Sequence, residues 1–286
     1  MLNFTIVYVY TKQIIFRNGM IFLHKLSKQF NLILTLLILS MFMVISTFAY
    51  PQSILAASAN NSASSAGVTV KTLAPGSKYA TELYIVESGK PGPVVMIVGG
   101  VHGSETAGYT AAAKVKNWTI DKGTLLVLPQ ANRRAIEKHV REIDGEGNLN
   151  RLFPDSSGET PKHPLASAIW SAIRQYDVDW LMDMHEGIDY SKTSSSVGQS
   201  LIYYPNSATK KMTSNIAAGL NQDIKSSSKK FSLFDLPIKG SLARAAGQFL
   251  GVHSFIFETC DNPSLSVRVN FHLQAAQTLL RDLDMI

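Results

Sequence analysis

The 286-residue sequence has a single cysteine, which excludes a disulfide framework within the chain and any zinc finger built on thiolates. Acidic residues are missing from the first 59 positions, where the only formal charges are the four basic side chains Lys12, Arg17, Lys25 and Lys28. All 21 acidic residues and the rest of the 27 basic ones lie beyond, so the pI near 9.3 is largely a property of the leader. A nucleic-acid footprint on the folded part is therefore not expected. No G-x-S-x-G elbow occurs, which removes the usual strand-to-helix serine nucleophile. Internal repeats, a Gly-X-Y period and sustained heptads are also absent. The whole chain is 45% hydrophobic and 17% charged, ample for a core in one or two domains.

Residues 32–45 (LILTLLILSMFMVI) are almost wholly apolar, Lys25 and Lys28 precede them, and no charge falls between Lys28 and Lys71. A basic stretch, an apolar run and then small residues is the layout of a secretory signal. Ala57-Ser58-Ala59 offers a cleavage site, Ala49 a second, and Met20 competes with Met1 as the start. The alternative is an uncleaved anchor, because 32–50 is about long enough to span a bilayer. Either way the positive flank stays inside and the domain is exported, secreted or held to the membrane only by its N-terminal segment. The expected organisation is a signal or anchor over 1–59, a small polar linker over 60–70 (NNSASSAGVTV), and one domain over 71–286.

Within that domain, continuous apolar runs predict buried strands at 94–100, 123–129, 179–185, 200–205 and 253–259. Helical spacing predicts helices at 106–118, 164–176, 206–224, 241–250 and 265–283. The alternation implies an α/β fold, a mostly parallel or mixed central sheet with helices on both faces. Sites in such sheets gather at the carboxyl edge, where His102, His185 and Glu258 fall at the ends of the first, third and fifth strands.

His102 and Glu105 lie three residues apart in GGVHGSET, at a strand-to-helix junction, and nitrogen with oxygen ligands suits zinc. His185 in DMHEG is the best candidate for a third ligand. Two His and one Glu leave a position open for water, the catalytic rather than the closed structural arrangement. Asp183 shares the strand face of His185 and is a candidate to support its ring. Taken alone, the HxxE pattern reads more simply as a helix-capping Glu beside a loop His.

The ordered set is more specific than its pieces. GGVHGSE, PQAN, Arg141, NLNRLFP, DMH and FETC follow one another over residues 90–265. In this the chain resembles the succinylglutamate desuccinylase/aspartoacylase group of the carboxypeptidase A-like zinc hydrolases. The resemblance implies one zinc per chain on His102, Glu105 and His185, with Glu258 as the general base. It further implies that Arg141 stabilises the oxyanion and that Asn150 with Arg151 holds the substrate's carboxylate. A guanidinium fork suits a carboxylate, a partly desolvated carboxylate serves as acid and base in turn, and fixed positive charge favours a developing oxyanion.

The sequence departs from the family pattern at Ser104 (often Asn), at Asn148 in place of the Asp of DLNR, and at Cys260, where Gly is usual. Asn148 can still accept a hydrogen bond from a ligand His but brings no charge. Few residues follow Glu258, so the carboxy-terminal domain that narrows the aspartoacylase cleft is expected to be absent and the cleft open. The resulting expectation is an exported zinc-dependent amide hydrolase acting on a carboxylate-bearing substrate, a metallocarboxypeptidase on peptides. An N-acyl-amino-acid deacylase and a non-catalytic carboxylate-binding pseudoenzyme are the alternatives. The polar segment 189–199 (DYSKTSSSVGQ) is expected to be mobile, as a lid or a surface loop.

Overall fold

The computed structural model describes residues 66–286. The leader, its cleavage sites and the possible start at Met20 lie outside the described residues. Among the described residues no helix is long and apolar enough to cross a membrane.

Eight strands form one sheet: β1 (Gly67–Leu73), β2 (Thr81–Glu87), β3 (Val94–Gly99), β4 (Thr124–Leu128), β5 (Trp180–Gly187), β6 (Ser200–Tyr203), β7 (Ser232–Asp235) and β8 (His253–Cys260). Their spatial order is β1-β2-β4-β3-β5-β8-β6-β7. The central four, β4-β3-β5-β8, are parallel; β1, β2 and β4 pair antiparallel, as do β6 and β8. The α/β expectation of a mostly parallel, mixed sheet therefore holds. β1 starts at Gly67, so the linker expected over 60–70 gives way to strand within its last residues. Small polar composition suggests a linker there, whereas the backbone of Gly67–Leu73 pairs with β2 along its whole length at the sheet edge, leaving Val68 and Val70 exposed.

The helices are α1 (Thr106–Val115), α2 (Arg133–Glu137), α3 (Pro164–Gln175), α4 (Ser207–Asn221), α5 (Leu242–Leu250) and α6 (Leu265–Asp282). Side chains alternate along β5 and β8, so each strand feeds two cores. Met182, Met184, Phe255 and Phe257 pack with α1, α4 and α6 on one face. Leu181 joins Met96, Val98 and residues of α3 and α5 on the other. Each fully buried side chain of this size contributes about 1.5–3 kcal/mol.

Two glycines set the distances on which the site depends. A Cβ on Gly108 would lie 2.6 Å from the Met184 carbonyl oxygen, so α1 packs directly against the backbone of β5. A Cβ on Gly103 would lie 2.0 Å from backbone of Ala135, so the loop after β3 is pressed onto α2. Together they bring the His102–Glu105 turn beside the end of β5.

Candidate metal centre and active site

β3 ends at Gly99, and Gly100 turns the chain with a φ of 76°. The Ala131 and Asn132 amides hold this turn through the carbonyls of Gly99 and Gly100, at 2.9 and 2.8 Å. Glu105 then occupies the N-cap position of α1, yet its side chain accepts no hydrogen bond from that helix. Its carboxylate turns instead to His102 Nδ1 at 2.7 Å, His185 Nδ1 at 2.8 Å and Arg141 Nη1 at 2.7 Å. The simpler reading of Glu105 as a helix cap is thereby ruled out.

His102, Glu105 and His185 are all buried, and one ligand atom from each lies within 4.8 Å of the others. Asn148 Oδ1 accepts from the Asn150 amide at 2.9 Å, which fixes its oxygen toward His102 Nε2 at 3.0 Å. Asp183 Oδ2 lies 2.9 Å from His185 Nε2. Both outer ring nitrogens thus face oxygens that can only accept, so they carry the ring protons. Both Nδ1 lone pairs are then aimed at an anionic carboxylate. Three converging donor groups of this kind need protons or a cation between them, and the N, N, O set suits a divalent metal.

The electrostatics agree. Burial works against charge on His185, but Asp183 and Glu105 outweigh it and hold its pKa well above the ordinary value. Burial likewise opposes ionisation of Glu105, yet the His185 charge and the hydrogen bonds from both imidazoles hold its carboxyl well below the usual range.

Glu258 is the register partner of His185 on the adjacent parallel strand and is buried. Among the described residues its Oε2 has no hydrogen-bond partner. Burial pushes its pKa up to about 8, the His185 charge opposes this, and Glu105 and Asp183 add to it.

Arg141 is half exposed (52%) and reaches inward to Glu105. Arg151 lies on the 3₁₀ turn Leu149–Arg151 and donates to the Asn150 carbonyl at 2.6 Å. Partial burial, then the charge of nearby Arg141, lower its pKa. Two neighbouring guanidiniums, one without a carboxylate partner among the described residues, form a place for an anion. Asn150 sits deeper than the sequence suggests. It is buried, its Oδ1 accepts from the Leu242 amide at 2.9 Å, and its Nδ2 lies 3.5 Å from His185 Nε2. It ties the Arg151 turn to the start of α5 and leaves only Nδ2 for a substrate.

The segment 189–199 is more tightly held than its composition implies. The Asp189 amide donates to Ser196 Oγ at 3.0 Å, Asn262 Nδ2 donates to Asp189 Oδ1 at 2.7 Å, and the Ser191 amide donates to the Gly198 carbonyl at 2.8 Å. Sequence reading passed over Glu186, which is buried beside His185 and faces the other side of the sheet. An acidic residue inside an apolar strand was the available signal.

A parallel-centred sheet carries, at its carboxyl edge, a His–Glu–His cluster, an unpaired carboxylate and two arginines, a donor set and a base suited to metal-assisted hydrolysis. Residues 91–224 match the family model described as the succinylglutamate desuccinylase/aspartoacylase catalytic domain. Glu258 lies beyond the matched residues, so its place rests on the geometry. No curated protein matches the sequence. Among solved structures, a putative metallopeptidase from Shewanella amazonensis is similar at 17% identity and TM-score 0.60, over 76% of this chain and 87% of that one. An aspartoacylase family protein from Mesorhizobium loti is similar at 19% identity and TM-score 0.59, over 78% and 69%. The tripeptide-bound cell shape determinant Csd4 from Helicobacter pylori is similar at 18% identity and TM-score 0.59, over 72% of this chain. The chain spans about half the length of the Csd4 structures, 56% in this case. At these identities the likeness concerns the fold.

Proposed function

We propose that the protein is an exported zinc-dependent amide hydrolase that removes a carboxylate-bearing terminal residue from peptides, a metallocarboxypeptidase. The observation that carries this reading is the convergence of His102 Nδ1, His185 Nδ1 and the Glu105 carboxylate beside the unpartnered carboxylate of Glu258. His102, Glu105 and His185 hold the zinc, one per chain, which supplies Lewis acidity to polarise a scissile carbonyl. Asn148 and Asp183 keep the imidazole protons on the outer nitrogens.

Glu258 takes a proton from the attacking water and returns it to the leaving amine; its burial raises its basicity toward neutral pH. Arg141 faces the developing oxyanion. The fork of Arg151 takes the substrate's carboxylate through two parallel hydrogen bonds, with Asn150 seating the turn that carries it. Support for peptide substrates comes from the tripeptide-bound Csd4 structure and from an mDAP-bound one in which that protein is described as a D,L-carboxypeptidase. Export is supported by the basic flank and apolar run of the leader.

The family match favours a second reading, an N-acyl-amino-acid deacylase. Metal content of the purified protein beside His102→Ala tests the centre, with about one zinc per chain expected and lost in the variant. Release of terminal amino acids from peptides, compared with release of carboxylates from N-acyl amino acids, separates the two readings. Absence of zinc after incubation with it would leave a carboxylate-binding protein without hydrolysis.

A further inference from the structure

The carboxyl ends of β5 and β8 carry a second polar layer on the sheet face opposite the His–Glu cluster. Alternation turns Glu186 and Thr259 toward α1 and α6, on the side of Met184 and Phe257. Glu186 Oε2 accepts the Ala107 amide, in the first turn of α1, at 2.7 Å. Its Oε1 accepts from Thr259 Oγ1 at 3.2 Å and from the guanidinium of Arg268 on α6. Arg268 is itself held by the Pro263 carbonyl at 3.0 Å. Meanwhile the Glu186 backbone amide donates to Glu105 Oε2 at 3.1 Å.

We infer that Glu186, with Arg268 as its counter-charge, is the positioning residue for Glu105; this rests on reading Glu105 as a metal ligand. The first turn of a helix leaves amides unsatisfied, and a carboxylate at the N-cap is the natural group to take them. Glu105 stands at that position on α1, so helix and imidazoles compete for one carboxylate. Glu186 settles the competition from across the sheet. Its carboxylate caps α1 and answers the positive end of the helix, while its amide draws the Glu105 carboxylate toward His185. Arg268 and Thr259 satisfy the remaining lone pairs, which makes a buried charge tolerable there.

The test uses the full chain, stripped by chelation and titrated with zinc against a chromogenic chelator. Removing Glu186 alone would strand Arg268, so the informative variant is Glu186→Leu with Arg268→Met, an apolar replacement of a buried pair that proteins commonly tolerate. The expected result is a native circular dichroism spectrum with zinc affinity reduced roughly 10–100-fold. Glu186→Gln with Arg268→Met restores an acceptor for the Ala107 amide and is expected to recover most of that loss. Affinity within about twofold of wild type in the Leu/Met variant would overturn the inference, whatever its melting temperature. Should wild type take up no zinc, the metal reading fails, and hydrogen exchange on the metal-free protein still decides the positioning. Faster exchange of the residue-186 amide in the Leu/Met variant supports it, and unchanged exchange sinks it.

Discussion

Asn148 Oδ1 lies 3.0 Å from His102 Nε2 and, by accepting the Asn150 amide as well, cannot be turned the other way. Its counterpart on the second imidazole is a carboxylate, Asp183, at 2.9 Å from His185 Nε2. The two rings are therefore held by unequal partners, one neutral and one anionic.

Asn148→Asp is accordingly expected to tighten zinc binding by making His102 the stronger donor, and Asn148→Leu to weaken it roughly 10–100-fold. Chelator competition on both variants measures this. Equal affinity in Asp and Leu variants would show that the ring needs no partner.

Glu258→Gln keeps the shape of the side chain and removes the base. Turnover is expected to fall by about 10²–10⁴, with zinc content unchanged. A variant that loses metal and activity together would make Glu258 a structural support for the centre.

Arg151→Lys replaces a fork by a point charge. It is expected to raise KM roughly tenfold or more while kcat changes less, because bidentate carboxylate binding is lost. Blocking the substrate's carboxylate as an amide should abolish the difference between the two proteins. If KM is insensitive to both changes, Arg151 is not the carboxylate anchor.

His272, buried on α6, has its pKa pushed down by burial from 6.5 to about 3. The unfolded chain therefore takes up the proton first as pH falls. The contribution to stability is complete above pH 6.5 and drains as pH falls toward 3, by up to about 1.4 kcal/mol per unit. His272→Gln removes this term, so its stability should decline less steeply with acid than wild type in denaturant titrations at pH 4–7. Parallel slopes would refute the assignment.

The elements legible in the sequence are those buried on both faces. β3, β4, β5 and β8 are unbroken apolar runs, and the sequence marks each to within about two residues. β1, β2 and β7 are not marked in the sequence: β1 and β7 are edge strands whose side chains are largely exposed, Leu233 and Phe234 of β7 included, and β2 is a short run with the exposed Glu82 near its start. Nothing in the pattern of the two edge strands separates an inner from an outer face. The short α2 escaped for lack of a full turn of periodicity.

In the site, His102 and Glu105 are read together because one tight turn joins them, and their link to His185 follows from strand order. Asp183 could be placed on the right face, but its reach to Nε2 depends on a side-chain rotation that spacing does not encode. Glu186 shows the converse limit. It adjoins a ligand in sequence and points away from it, so its bond to Ala107 needs the packing of α1 on β5 to be seen.

The sheet order also governs when the site is assembled. Among the described strands β8 comes last in the sequence, yet it sits between β5 and β6, and β6 pairs with β8 and β7. Until that final strand slides into the gap, one flank of the sheet has nothing to join and the carboxylate of Glu258 is nowhere near the imidazoles. The proposed base therefore joins the proposed metal ligands only with the closing of the fold.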